Sequence, residues 1–302
     1  MKDNQSSMTA LISSFGRAYH NENDTPIIFS DPIARQLMTD DEYKQIAGYM
    51  IGGIDFFAPE KKEELTDRGE ALKWIVQTQI APTPLARARY CEDMLENAIR
   101  IGAEQYVILG AGMDTFAYRN DETLSRIKVF ELDHPDTQMF KKQKIQQAGC
   151  SVHDNLQYVP IDFTKDNLAN ELEKAGFDRS KRTFFSWLGV SYYLTKEQIL
   201  NTLQAISAIS PKGSSIVFDY ADENLFTSDI RRVQNMIAMA KAGGEPMQSC
   251  FSYEELERLL EETNLLLYEH LSTENIEERF FTGRSDYLHA FEYVNYALAV
   301  KR

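Results

Sequence analysis

The sequence is poor in the residues that staple small folds or gather metals. Its 302 residues hold three cysteines, Cys91, Cys150 and Cys250, an odd count with no Cys-x-x-Cys pair. Neither a disulfide framework nor a zinc knuckle is expected, and free thiols suit a reducing cytoplasm. The five histidines, His20, His134, His153, His270 and His289, have no metal-ligand spacing, so no metal is expected. Basic residues are also scarce: 32 Lys+Arg against 46 Asp+Glu give a formal net charge of −14. Holding nucleic acid or an anionic membrane surface needs clustered Lys and Arg, so both partner classes are set aside. No run approaches the ~18 apolar residues of a membrane span, and MKDNQSSMTALISSFGRAYH lacks the apolar region of a signal peptide. What is present, 43% hydrophobic and 26% charged residues, suits a soluble cytoplasmic protein. At this length a full core forms without metal or disulfide.

Two regions differ in character. Residues 1–100 read as helices. Met8, Leu11, Ile12 and Phe15 follow the i, i+3, i+4, i+7 spacing of one buried face, and Asp31-Pro32 reads as an N-cap with proline at the first helical position. A helix around 70–80 stops before Pro82 and Pro84, and another carries LARARYCEDMLENAIRIG. From 105 onward, short apolar runs alternate with amphipathic stretches. Strands are expected at 105–110, 128–133, 156–162, 183–189, 214–220, 265–270 and 294–300, and helices at 136–148, 165–175, 195–209 and 252–263. This alternation reads as βαβ units building a mostly parallel sheet covered on both faces. The expected organisation is an N-terminal helical cap, 1–100, packed on an α/β core, 101–302, with an insertion at 221–250. Met236, Met239 and Met247 in that insertion either pack or line an adaptable pocket.

The sharpest local signal is Val107-Ile108-Leu109-Gly110-Ala111-Gly112-Met113-Asp114, a strand running into a Gly-x-Gly turn. Glycine suits a tight turn that lets a ligand approach the backbone. Thr115 stands where a dinucleotide fingerprint wants its third glycine, which weakens NAD and FAD. The next strand ends at Asp133, 21 residues beyond Gly112, where a carboxylate can accept from both hydroxyls of a ribose. The third strand ends in Ile161-Asp162-Phe163, an acid for an exocyclic amine beside apolar surface for an adenine ring. An adenosine site without a phosphate cradle points to S-adenosyl-L-methionine.

These residues carry a family resemblance. LGAGMDTFAYR (109–119) followed by FELDHPDTQMFKKQKI (130–145) resembles the leucine carboxyl methyltransferase family, including its bacterial polyketide O-methyltransferase-like branch. RAYH and IIFSDPIARQL (17–37), PLARARYCED (84–93), VPIDFT (159–164) and SWLGVSYYLTKEQI (186–199) are similar to its other motifs, so the likeness runs from about 8 to 300. It implies a Rossmann-like class I methyltransferase with a seven-stranded mostly parallel sheet. It also implies that Gly110, with Ala111 and Gly112, approaches the methionine part of the cofactor. Asp133 would take the ribose, Asp162 and Phe163 the adenine, and Arg87 the methionine carboxylate, a role that suits a planar two-donor fork. Arg17 aligns with a second N-terminal basic residue, and Asp114 either anchors the turn or touches the cofactor amine. The chain departs from the family at Trp187-Leu188-Gly189, where an acid often precedes the glycine. A backbone carbonyl at Leu188, or another acid, then faces the cofactor's ammonium, or binding is weaker.

Methyl transfer is an in-line displacement in which the enzyme aligns nucleophile, methyl carbon and sulfur. A carboxylate nucleophile is already ionised at neutral pH, whereas a phenol or hydroxyl needs a base. The candidates on the substrate side are His134, Tyr192 and Tyr193, with Arg119 available to orient an anion. The leading expectation is an O-methyltransferase acting on a small-molecule or peptide carboxylate. A phenolic or polyketide-type hydroxyl is the alternative within the class. A protein that binds S-adenosyl-L-methionine without turnover is the alternative outside it, and a dehydrogenase is the weakest reading.

Overall fold

The structure is a computed structural model that describes residues 6–163 and 165–302. Met8, expected on the buried face of the first helix, has its side chain outside the described residues. Seven strands build one sheet: β1 (Gln105–Leu109), β2 (Lys128–Asp133), β3 (Leu156–Pro160), β4 (Thr183–Trp187), β5 (Ser215–Ala221), β6 (Leu265–Leu271) and β7 (Val294–Lys301). Their order is β3-β2-β1-β4-β5-β7-β6. The first five run parallel, and β7 is antiparallel to both β5 and β6.

The residues of β1 alternate between two cores, as a period-2 strand covered on both faces must. Tyr106 and Ile108 join Phe15, Tyr90 and Phe184 beneath the N-terminal helices. Val107 and Leu109 join Phe130, Phe185, Trp187 and Leu203 on the opposite face. Every residue of β1 and β4 is buried. The chain fills the β2–β3 side of β1 first and then crosses to β4 on its other side. That reversal opens a crevice at the carboxyl ends of β1 and β4, where open α/β sheets take ligands.

Several expected boundaries shift. β3 stops at Pro160 and β4 at Trp187, each two residues early; Gly189 turns with φ +73 instead of extending. The helix expected from 165 starts at Leu168, where Asn167 caps it through Asn170 N. The helix around 70–80 is α-helical over Arg68–Ile75, continues as a π-helical turn over Val76–Ile80, and gives way to the helix Pro82–Arg100. The insertion holds a helix, Arg231–Ala242, and Asp222 bridges Phe251 at its base. A helix not read from the sequence, Thr273–Phe280, joins β6 to β7 behind a Ser272/Asn275 capping box.

Candidate functional site

The turn after β1 is fixed from β2. Gly110 N and Ala111 N both donate to Leu132 O, at 2.9 and 3.0 Å. Gly110 and Gly112 have φ +69 and +48, a region that favours glycine. A Cβ on Gly110 would lie 2.7 Å from Val190 Cγ2, so this glycine is needed first to seat the turn against the exit of β4. Asp114 Oδ1 accepts from Phe116 N at 2.8 Å and starts the short helix Phe116–Arg119.

Above this turn lies a cavity of roughly 480 Å³, within the range of small-molecule sites. Of the residues expected at the site, Arg87, Gly110, Ala111, Gly112, Asp114, Asp133, His134, Asp162, Phe163, Leu188 and Tyr193 all line it. So do Arg17 and Arg119. Tyr192 is not among the lining residues. It is buried, its hydroxyl accepts from Arg87 Nη1 at 3.1 Å, and its ring meets Tyr193 edge-on with centroids 4.7 Å apart. Of the two tyrosines, one of which was expected to face the substrate, Tyr193 lines the cavity and Tyr192 does not, because they are consecutive in the 3-10 turn Ser191–Tyr193, where successive side chains point about 120° apart.

Asp133, in the cavity wall, is held by backbone amides. Its Oδ2 accepts from Gly112 N at 2.5 Å and its Oδ1 from His134 N at 2.7 Å. Burial pushes its carboxyl above the usual range, and those two amides pull part of the way back. Each oxygen keeps a second lone pair for a ligand hydroxyl. His134 caps the helix Pro135–Gln147, and its Nδ1 accepts from Asp136 N at 3.4 Å. Asp162 pairs with Lys165 at 2.7 Å, and Phe163 stands partly exposed at the cavity rim. Tyr193 is packed so closely that burial pushes its phenol up to about 12.

Arg87 comes from the helix Pro82–Arg100 and reaches the cavity beside β4. Its Nη1 lies 2.9 Å from Asp219 Oδ2, and its side chain is 15% exposed against 0% for Asp219. Burial works against the guanidinium charge, and the adjacent Asp219 outweighs it. Asp219 Oδ1 also accepts from Gly189 N at 2.7 Å. Asp219 is not among the residues expected from the sequence; it lies within β5, two residues before its end at Ala221, after the apolar run Ile216-Val217-Phe218.

Asp31, the N-cap expected from the sequence, accepts from Ala34 N at 3.0 Å. It also takes Arg17 Nε and Thr115 Oγ1, each at 2.8 Å, joining the first helix to the glycine turn. Burial raises its carboxyl, and Arg17, Arg119 and the two hydrogen bonds bring it below the usual range. Arg119, expected to orient an anion, is engaged elsewhere: Nε donates to Thr115 Oγ1 at 2.9 Å, Nη2 pairs with Glu92, and the guanidinium lies 4.7 Å from the Phe29 ring centroid. The insertion contributes Glu245, Pro246 and Gln248 to the cavity, anchored by Gln248 N donating to Tyr192 O at 2.7 Å. Its methionines do not line the site; Met247 is buried in the core, with Met236 and Met239 packed against it. Among the described residues there is no His/Cys/Asp/Glu group suited to a metal ion, and no helix is long and apolar enough to cross a membrane.

The family model of leucine carboxyl methyltransferases matches residues 10–207. A Bacillus subtilis protein, YktD, named among S-adenosyl-L-methionine-dependent methyltransferases, is 50% identical over the full length of both chains. A Mycobacterium avium protein carrying the same class name is 30% identical over 75% of this chain and 70% of its own. A crystal structure of a DUF574 family protein from Streptomyces avermitilis shares the fold, with a TM-score of 0.57 at 12% identity, covering 96% of this chain and 97% of that one.

Proposed function

The chain belongs to the leucine carboxyl methyltransferase family and is an S-adenosyl-L-methionine-dependent methyltransferase, and from that premise we propose that its methyl acceptor is a carboxylate oxygen. The observation that supports this is the lack of an available base among the groups expected to serve one. Tyr193 stays a neutral phenol with its proton held up to about 12, Tyr192 is turned away on Arg87, and His134 is engaged in capping its helix. An acceptor that is already ionised needs none of them.

The residues fit the cofactor. Asp133 presents a carboxylate whose remaining lone pairs suit the two ribose hydroxyls, while its bonds to Gly112 N and His134 N fix its direction. Asp162 and Phe163 offer an acceptor and a ring face for adenine at the rim. Arg87, at the opposite end, offers a guanidinium to the methionine carboxylate, with Asp114 and the backbone carbonyl of Leu188 near the amino group. When bound, the cofactor supplies a methyl on a positively charged sulfur. The protein's part is alignment and exclusion of water, worth several kcal/mol when reactants are held in attack geometry. The N-terminal helical cap contributes Ala10, Ser13 and Arg17 to the cavity, and the 221–250 insertion contributes Glu245, Pro246 and Gln248; these segments select the acceptor.

Glu245 favours a second reading. Burial and the nearby Asp133 raise its carboxyl above the usual range, as suits a base for a phenolic or polyketide-type hydroxyl. Methyl-labelled cofactor with matched carboxylic acid and phenol panels separates the two. A methyl ester releases labelled methanol in mild alkali and an ether does not. Alkali-stable product alone, abolished by Glu245→Gln, would overturn the carboxylate reading.

A further inference from the structure

The three arginines in the cavity wall each have a carboxylate beside or behind them. Arg17 has Asp31 at 2.8 Å, Arg119 has Glu92, and Arg87 has Asp219 at 2.9 Å. The Arg87 pair differs from the others in position, because it stands at the end of the cavity assigned above to the amino-acid part of the cofactor. Asp219 is wholly buried, takes Arg87 with one oxygen and Gly189 N with the other, and leaves the guanidinium edge facing the cavity. Its countercharge therefore lies behind the arginine, out of reach of a ligand carboxylate but close enough to cancel the arginine's field.

We propose that Asp219 is a positioning residue that keeps this end of the cavity neutral and thereby sets the preference of the site for the positively charged cofactor over its product. S-adenosyl-L-methionine and S-adenosylhomocysteine share adenosine, carboxylate and ammonium, and differ by one methyl group and one positive charge on sulfur. An uncancelled Arg87 attracts the shared carboxylate in both and repels the charged sulfur in only one. The ratio of the two affinities therefore reports the charge of the Arg87–Asp219 pair, while contacts common to both ligands drop out. The inference rests on the placement of the cofactor's amino-acid end at Arg87.

The test is calorimetric titration of wild type, Asp219→Asn, Arg87→Gln and the double variant with each ligand, alongside their thermal unfolding. In Asp219→Asn, preference for the charged ligand should fall by about tenfold, the scale of one nearby unit charge at a partly screened site. Arg87→Gln leaves Asp219 uncompensated and should move the ratio the opposite way. The double variant should bind both ligands more weakly yet restore the wild-type ratio. If Asp219→Asn or Arg87→Gln weakens both ligands equally, Asp219 is only a scaffold and the inference fails. If Arg87→Gln changes neither affinity, the cofactor placement itself is wrong. Should Asp219→Asn not fold, Arg87→Gln decides alone, an unmoved ratio overturning the proposal.

Discussion

Replacing Gly189 by alanine tests how tightly the Arg87 end of the cavity is built. The residue has φ +73, where a side chain costs about 1–2 kcal/mol of backbone strain. Its Cβ would sit 2.6, 2.7 and 2.9 Å from Arg87 Nη2, Nη1 and Cζ. Carbon contacts are comfortable only near 3.5–4.0 Å, so the guanidinium must retreat by about 1 Å. A free surface arginine would retreat without penalty, but this one is held by Asp219 at 2.9 Å and Tyr192 at 3.1 Å. Loosening a hydrogen bond to a charged group costs about 1.5–3 kcal/mol, which with the strain gives a destabilisation of about 2.5–5 kcal/mol. The control is Gly48→Ala, in the middle of the helix Asp40–Gly52, where a Cβ meets nothing within 4 Å. That change should be neutral or stabilising by up to about 1 kcal/mol. Denaturant unfolding gives both values, and calorimetry should show cofactor affinity falling only in Gly189→Ala. Equal stability and affinity in the two variants would refute the packing of Arg87 against the turn after β4.

Other outcomes follow from the same geometry. Asp133→Ala removes the acceptor of two backbone amides and the one proposed for the ribose; calorimetry should show cofactor binding weaker by about 1–3 kcal/mol, roughly five- to 150-fold. Unchanged affinity would show that Asp133 serves only the turn. Asp31→Asn breaks a buried pair and should cost about 3–5 kcal/mol near neutral pH. Because the folded state lowers the Asp31 carboxyl, its contribution is present above the ordinary value of 3.8 and is lost as pH falls below it. The gap between wild-type and Asp31→Asn unfolding curves should therefore narrow in acid; a gap constant with pH would contradict the ion pairing.

Much of the fold was legible because its signals are local. Buried parallel strands such as Val107-Ile108-Leu109 are continuous apolar runs, and the capping sequence Asp31-Pro32 marks a helix start. Strand ends were less legible, because apolar character continues past Trp187 through Leu188 while the backbone has already turned at Gly189. Asp133 was picked out by its spacing to the glycine turn, and Asp162 by the apolar strand that precedes it. Asp219 was not, since its partner Arg87 is 132 residues away and only the fold joins them. The double duty of Asp31 was hidden for the same reason: one capping bond is local, while Thr115 lies 84 residues on. Tyr192 and Tyr193 were indistinguishable in sequence, and the 3-10 turn Ser191–Tyr193, one third of a turn per residue, decides which one faces the cavity.

The most direct test of the central claim is titration of the wild-type protein with S-adenosyl-L-methionine and with S-adenosylhomocysteine, repeated on Asp133→Ala and Arg87→Gln. The cavity above the β1 turn predicts saturable one-to-one binding of both ligands by wild type, weakened in each variant. Binding that survives both substitutions unchanged would contradict the assignment of that cavity to the cofactor.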